Sequence, residues 1–262
     1  MRQQILRMHR RAAFTLVELL VVIGILIVLL SILLPVLAHV RKEGQRTACM
    51  ANLRQLGQAY TSYLTGNDGR GIGYARHANG VWIQTFRSDY GNADRVRSCP
   101  SAPEISPDFG SAALSWTFDL DLPDLTLDRR VGGYGFNAWL CRWDATGRGG
   151  EQYSGGTPAQ YFTTFPAESA SVPVFGDCTW ADAWPRETDP TPPNLIDGDR
   201  ATQGTPPAEN MMARFTISRH GRNINVVFLD GHGETVPLEN LKQLKWHNGY
   251  VPAVWAPPLP AR

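Results

Sequence analysis

From Phe14 to Leu37 the chain reads FTLVELLVVIGILIVLLSILLPVL, 24 residues with a single charge, Glu18. As a helix rising about 1.5 Å per residue, this run is about 36 Å long. A bilayer's hydrocarbon core takes roughly 20 apolar residues, so the segment is long enough to span one. The apolar region of a cleaved secretory signal is shorter, about 7–15 residues, and ends at a small-x-small cleavage site. Here Ser31 to His39 reads SILLPVLAH and offers no such site. Arg2, Arg7, Arg10 and Arg11 precede the run, with no acid among residues 1–13. Clustered Lys and Arg mark the cytoplasmic side. The reading is a single-pass membrane protein, with its N-terminus in the cytoplasm and the rest exported.

Glu18 is out of place in a plain anchor. A carboxylate inside a spanning helix costs about 2.5–3.5 kcal/mol when central and less near an end, so it points to a function and requires a partner. Ala13-Phe14-Thr15-Leu16-Val17-Glu18 resembles the processing site of type IV prepilins and type II secretion pseudopilins. The resemblance implies that a prepilin peptidase cuts between Ala13 and Phe14 and that the new Phe14 amine is methylated. It makes Glu18 the fifth mature residue, where the family keeps an acid, and Pro35 the helix-kinking Pro. The family's usual residue before the cut is Gly; here it is Ala13. The partners implied are the peptidase and other pilin or pseudopilin subunits, with Glu18 pairing to a neighbouring subunit's amine. Arg41, Lys42 and Arg46 lie on the external side against the charge bias, and the leader arginines with the prepilin motif outweigh them.

Beyond Pro35, Leu53, Leu56, Tyr60, Tyr63 and Leu64 fall on one face of a 3.6-residue period. Gly66-Asn67-Asp68-Gly69 is a stop signal. The expectation is one helix from Phe14 to about Thr65, apolar all round in its first half and amphipathic in its second. Further on, short β-like runs are divided by Gly, Pro, Asn and Asp; Gly (25) and Pro (19) are plentiful enough to supply many turns. The predicted strands are 81–86, 133–137, 172–175 and 225–229, the last entering a two-residue turn at Asp230-Gly231 or Gly231-His232. A short helix is expected over 238–246, a long Pro-rich loop over 182–210, and a poorly ordered tail over 252–262. The fold class is α+β and pilin-like, a long N-terminal helix packed on an antiparallel β-sheet with long loops. The divisions are a basic leader 1–13, a membrane or filament-core helix 14–37, its amphipathic continuation 38–66, a globular β-rich domain 67–251, and the tail.

His220, nine residues, then Asp230-Gly231 looks like the His-x9-Asp-Gly motif of a large group of prepilin-like proteins of planctomycete type. Asn52-Leu53-Arg54-Gln55-Leu56-Gly57, Cys99-Pro100-Ser101 and Tyr134-Gly135-Phe136-Asn137 also resemble that group. A structural role is expected for His220, Asp230 and Gly231, rather than a metal site shared with His232. Asp197-Gly198-Asp199 resembles part of a calcium loop but lacks the twelve-residue pattern and its closing Glu, so calcium is the one cofactor considered. No other cofactor and no metal ligand set are expected.

Enzyme chemistry has little support. There is no Gly-x-Ser-x-Gly and no Gly-x-x-x-x-Gly-Lys-Ser/Thr, and Ser218-Arg219-His220 has no acid partner visible in the sequence. A formal net charge of +1 does not favour nucleic acid as a partner. The eight Trp are read as packing rather than as a carbohydrate platform. Cys49, Cys99, Cys141 and Cys178 show no Cys-x-x-Cys spacing. In an exported domain they permit two disulfides, with three pairings open; one of these, Cys49 with Cys99, would tie the helix to the sheet. The function expected is a structural subunit of a type IV pilus or secretion pseudopilus. The alternative is a signal-anchored exported binding module or enzyme.

Overall fold

The computed structural model describes residues 16–73, 81–91, 93–121, 127–143, 156–162, 168–199 and 210–261. The chain divides into two units, Met1–Glu43 and Gly44–Arg262. One helix, α1 (Leu16–Gly66), begins in the first and ends in the second. In the first unit the apolar side chains from Leu16 to Leu37 are exposed. In the second, Cys49, Leu53, Leu56, Gly57, Ala59, Tyr60 and Leu64 are buried. That spacing is one face of a 3.6-residue period. The helix stops where Asp68 takes a left-handed φ of 54° and the Gly69 N–H donates back to the Leu64 carbonyl at 2.8 Å. This is the Schellman closure, with Asp in the place usually held by Gly.

Eight strands follow: β1 (Glu104–Ile105), β2 (Leu114–Asp121), β3 (Leu127–Gly132), β4 (Tyr134–Asn137), β5 (Pro173–Asp177), β6 (Asp182–Ala183), β7 (Asn223–Phe228) and β8 (Gly233–Pro237). They form a three-stranded sheet, β1-β2-β3, and a five-stranded sheet, β6-β4-β5-β7-β8. Each sheet is antiparallel except for one short edge strand: β1 runs parallel to β2, and β6 parallel to β4. The single antiparallel sheet expected is therefore two mixed ones. The architecture remains α+β, a long helix followed by a sheet domain with loops.

Segment 81–86 is a helical turn, α2 (Val81–Thr85), and not the strand expected. Trp82, Ile83, Phe86 and Tyr90 are all buried, a spacing that helical geometry satisfies and strand alternation does not. The β7–β8 hairpin closes through three residues, Leu229, Asp230 and Gly231, and not two. Gly231 N–H donates to Phe228 O and Phe228 N–H to His232 O, both at 2.9 Å, with Gly231 at φ 89°. A turn completed by a left-handed Gly is the standard three-residue hairpin. The helix expected over 238–246 is a shorter 3-10 helix, Leu238–Gln243.

The Pro-rich tail is packed rather than loose. Trp255 is buried and its indole donates to Leu238 O at 2.9 Å. Ala253 N–H bonds Lys242 O, and Arg222 Nη1 bonds Pro260 O. One large indole with a carbonyl acceptor is enough to hold a segment that has no periodicity. Other Trp behave alike: Trp82, Trp116, Trp139 and Trp246 are fully buried and donate to the carbonyls of Ala181, Tyr134, Pro185 and Leu241. They are core, and they tie loops to it.

Helix α1 lies close against the five-stranded sheet. A Cβ built on Gly57 would stand 2.8 Å from Val227 Cγ2 on β7. Tyr60 meets Phe136 of β4 edge-on at 5.3 Å, and Asn225 Nδ2 donates to Arg46 O at 3.0 Å. Gly57→Leu should therefore destabilise the domain by about 1–3 kcal/mol through overpacking, despite a gain in helix propensity of about 1 kcal/mol. Denaturant unfolding of the full chain in detergent checks this; an unchanged or higher midpoint would mean a looser helix–sheet seam.

Candidate functional site

Two regions carry the residues singled out in the sequence. The first is the start of α1. Ala13 and Phe14 lie outside the described residues. Glu18 sits in the first described turn of α1. Behind it come the exposed apolar side chains. Among the described residues α1 is the one helix long and apolar enough to cross a membrane. Leaving that much apolar surface in water is costly, at about 25 cal/mol per Å², so lipid or other chains must cover it. Pro35 lies inside the helix and supplies no N–H to the turn before it.

The second region is the C-terminal motif, whose two ends are separated. His220 precedes β7 and Asp230 follows it. Six strand residues at about 3.3 Å each lie between them, so His220, Asp230 and His232 cannot share one ion. Asp230 caps the hairpin turn, accepting from His232 N–H at 3.1 Å and lying 2.6 Å from His232 Nδ1. Burial acts to raise the Asp230 carboxyl, and these bonds outweigh it, holding it below its ordinary value. His232 in turn stacks on Phe228 at 4.3 Å.

His220 has a different setting. Its Nε2 lies 3.2 Å from Asp177 Oδ2 at the end of β5 and 3.7 Å from Cys99 Sγ. Cys99 is disulfide-bonded to Cys49 of α1, with Cα atoms 5.1 Å apart. Asp177 also accepts from Asn225 N–H at 2.8 Å and faces Arg219 Nη1 at 3.5 Å, both side chains fully buried. Arg219 donates further to the carbonyls of Gly133, Ser111, Leu114 and Cys178. The guanidinium fork thus joins the end of β3, the loop before β2 and the end of β5. Tyr134 closes the group, with its hydroxyl 3.4 Å from the Cys49 and Ser98 carbonyls. Burial first, then the Asp177 charge, raises that hydroxyl above its ordinary value.

Asp177 is thus the acid partner that Ser218-Arg219-His220 lacked in the sequence, and it lies 43 positions upstream of His220. Ser101 Oγ stands 3.5 Å from His220 Nδ1, beyond the roughly 2.6–3.2 Å over which a general base takes a proton. The imidazole is also nearly buried, so this hydroxyl–imidazole–carboxylate series reads as structural. Cys141 and Cys178 are buried thiols rather than a second disulfide. Burial, then the Asp182 charge, raises Cys141, and burial pushes Cys178 up to about 12. Neither carries the thiolate that reactivity needs. In the Asp197-Gly198-Asp199 segment, Asp197 N–H donates to Asn194 Oδ1 at 3.0 Å and Asp199 Oδ2 accepts from Asn210.

Residues 8–34 match the prokaryotic N-terminal methylation motif. That motif is of prepilin type, and it falls on the basic leader and the exposed apolar half of α1. No curated protein and no solved structure matches the chain.

The buried charges give a sharp contrast. Arg219→Ala leaves the Asp177 carboxylate buried without its cation, which should cost about 3–5 kcal/mol. Arg222, half-exposed and paired with Glu239, should cost about 1 kcal/mol or less on the same change. Parallel denaturant curves measure both; equal losses would contradict the role assigned to Arg219.

Proposed function

We propose that this chain is a structural filament subunit of the type IV pilin or secretion pseudopilin kind. The observation that carries the reading is the match of residues 8–34 to a prepilin-type methylation motif, on a helix whose apolar side chains stand exposed. In this reading the chain enters the inner membrane through α1, with the leader arginines in the cytoplasm. A prepilin peptidase hydrolyses the Ala13–Phe14 bond. The Phe14 amine is methylated and stays positive, since an α-amino group has an ordinary pKa of about 7.7–8.0 and methylation of an amine keeps its charge.

Each subunit then brings one amine and one Glu18 carboxylate into the filament core. Alone, each is costly in an apolar surround. Paired across neighbours they are tolerated, and the pairing fixes the axial step between subunits. The apolar halves of α1 cover one another as they leave the lipid, and the sheet domain stays outside. His220, Asp230 and Gly231 have structural roles in that outer domain: His220 beside Asp177 at one end of β7, and Asp230-Gly231 in the turn at the other. No step here needs a metal, a cofactor or catalysis by this chain.

Glu18→Ala should insert and be processed at least as well as the parent, because it removes a charge from the spanning run. It should enter filaments poorly, because the neighbouring amine would be buried unpaired, a loss of about 3–5 kcal/mol. The ratio of sheared-filament to membrane protein on immunoblots reads the effect. Normal incorporation would sink the pairing.

A further inference from the structure

Cys49 on α1, Cys99 before β1, Asp177 closing β5 and His220 before β7 come from four separate stretches of chain. Their ligand atoms all lie within 4.8 Å of one another. Cys49, Cys99 and Asp177 are buried, and the His220 side chain is 3% exposed. In the structure the two sulfurs are bonded to each other. We infer that reduction of this disulfide converts the cluster into a tetrahedral site for a divalent cation of the zinc class. Its ligands are the two Sγ atoms, His220 Nε2 and Asp177 Oδ2.

Three observations carry this. The first is spacing. Ligands at about 2.0–2.3 Å from a tetrahedral zinc stand roughly 3.3–3.8 Å apart. His220 Nε2 is 3.7 Å from Cys99 Sγ and 3.2 Å from Asp177 Oδ2. The second is charge. Two thiolates and a carboxylate are offset by the metal together with Arg219, whose Nη1 is 3.5 Å from Asp177 Oδ1. The filled site is therefore neutral, which a buried position requires. The third is the outer shell. Asn225 N–H holds Asp177 Oδ2 at 2.8 Å, so that ligand is oriented in advance. A cleft of about 430 Å³ lined by Ala48, Asn52, Ser98 and Cys99 reaches one of the four, Cys99. A set of two sulfurs, one nitrogen and one oxygen favours zinc over calcium or magnesium.

The chemistry balances with a dithiol as reductant. The dithiol gives two electrons and two protons to the Cys49–Cys99 bond and becomes a disulfide itself. Metal entry then displaces the two thiol protons to solvent. In either state α1 stays tied to the sheet domain, by a covalent bond or through a metal.

The test uses the full chain in detergent, reduced with a dithiol, desalted without oxygen and titrated with Co(II). The reduced chain should bind one equivalent, with the visible bands of tetrahedral cobalt and thiolate-to-cobalt charge transfer, and zinc should bleach them. The oxidised chain should show none. His220→Ala removes a ligand and should weaken binding by more than the roughly hundredfold that loss of an outer-shell partner costs, whereas Cys141→Ala and Cys178→Ala should leave it unchanged. If reduction loosens the fold, added zinc should restore the near-ultraviolet circular dichroism. Absence of thiolate–cobalt bands, bands that survive His220→Ala undiminished, or a reduced chain that zinc does not refold would each overturn the site.

Discussion

The face of α1 that carries Cys49, Leu53, Leu56, Gly57, Tyr60 and Leu64 organises the sheet domain, because it is buried against strands β4 and β7 of the five-stranded sheet. Fully burying a large apolar side chain contributes about 1.5–3 kcal/mol against the entropy of ordering it. Gly57 lets the helix come down onto Val227. Tyr60 then reaches Phe136 and Phe86 edge-on. The Cys49–Cys99 bond fixes the start of the same face. Arg219 does from inside what the helix does from outside, gathering carbonyls of three loop and strand ends onto one cation.

The first unit of the chain obeys the opposite rule. Its apolar side chains are exposed all round the helix, which no soluble environment favours. A membrane accepts such a segment, and so does a bundle of like segments. The one acid in its apolar run, Glu18, is what the proposed assembly uses: a lipid anchor gains nothing from a carboxylate, whereas a bundle of subunits would gain a register. This division of labour along one helix, apolar surface first and domain seam second, is what links the fold to the proposed assembly.

Much of this was legible from residue order because it is one-dimensional. The apolar run, the leader arginines, Glu18 and the period from Leu53 to Leu64 are local patterns, and so are the Asn67-Asp68-Gly69 stop and the Asp230-Gly231 hairpin. The segment 81–86 misled because Val, Trp, Ile and Phe favour strands, and the joint burial of Trp82, Ile83, Phe86 and Tyr90, which shows that the spacing is helical, is a fact of the fold. The hairpin gained a residue because Gly231 takes the left-handed position that lengthens the loop. The tail looked loose because one Trp has no period. The cluster at the disulfide was illegible for a different reason. Asp177 is 43 positions upstream of His220 and 78 beyond Cys99, and Arg219 is held by backbone carbonyls, which leave no mark in side-chain sequence. A Ser-Arg-His run was visible, but the acid that completes it depends on the β5–β7 register.

The most direct test of the assembly account is the N-terminus of the protein recovered from its native membranes, read by intact and peptide mass spectrometry. The account predicts a chain that begins at Phe14 and carries one added methyl group. A chain that still begins at Met1 would contradict it, and would make α1 a plain anchor for an exported domain.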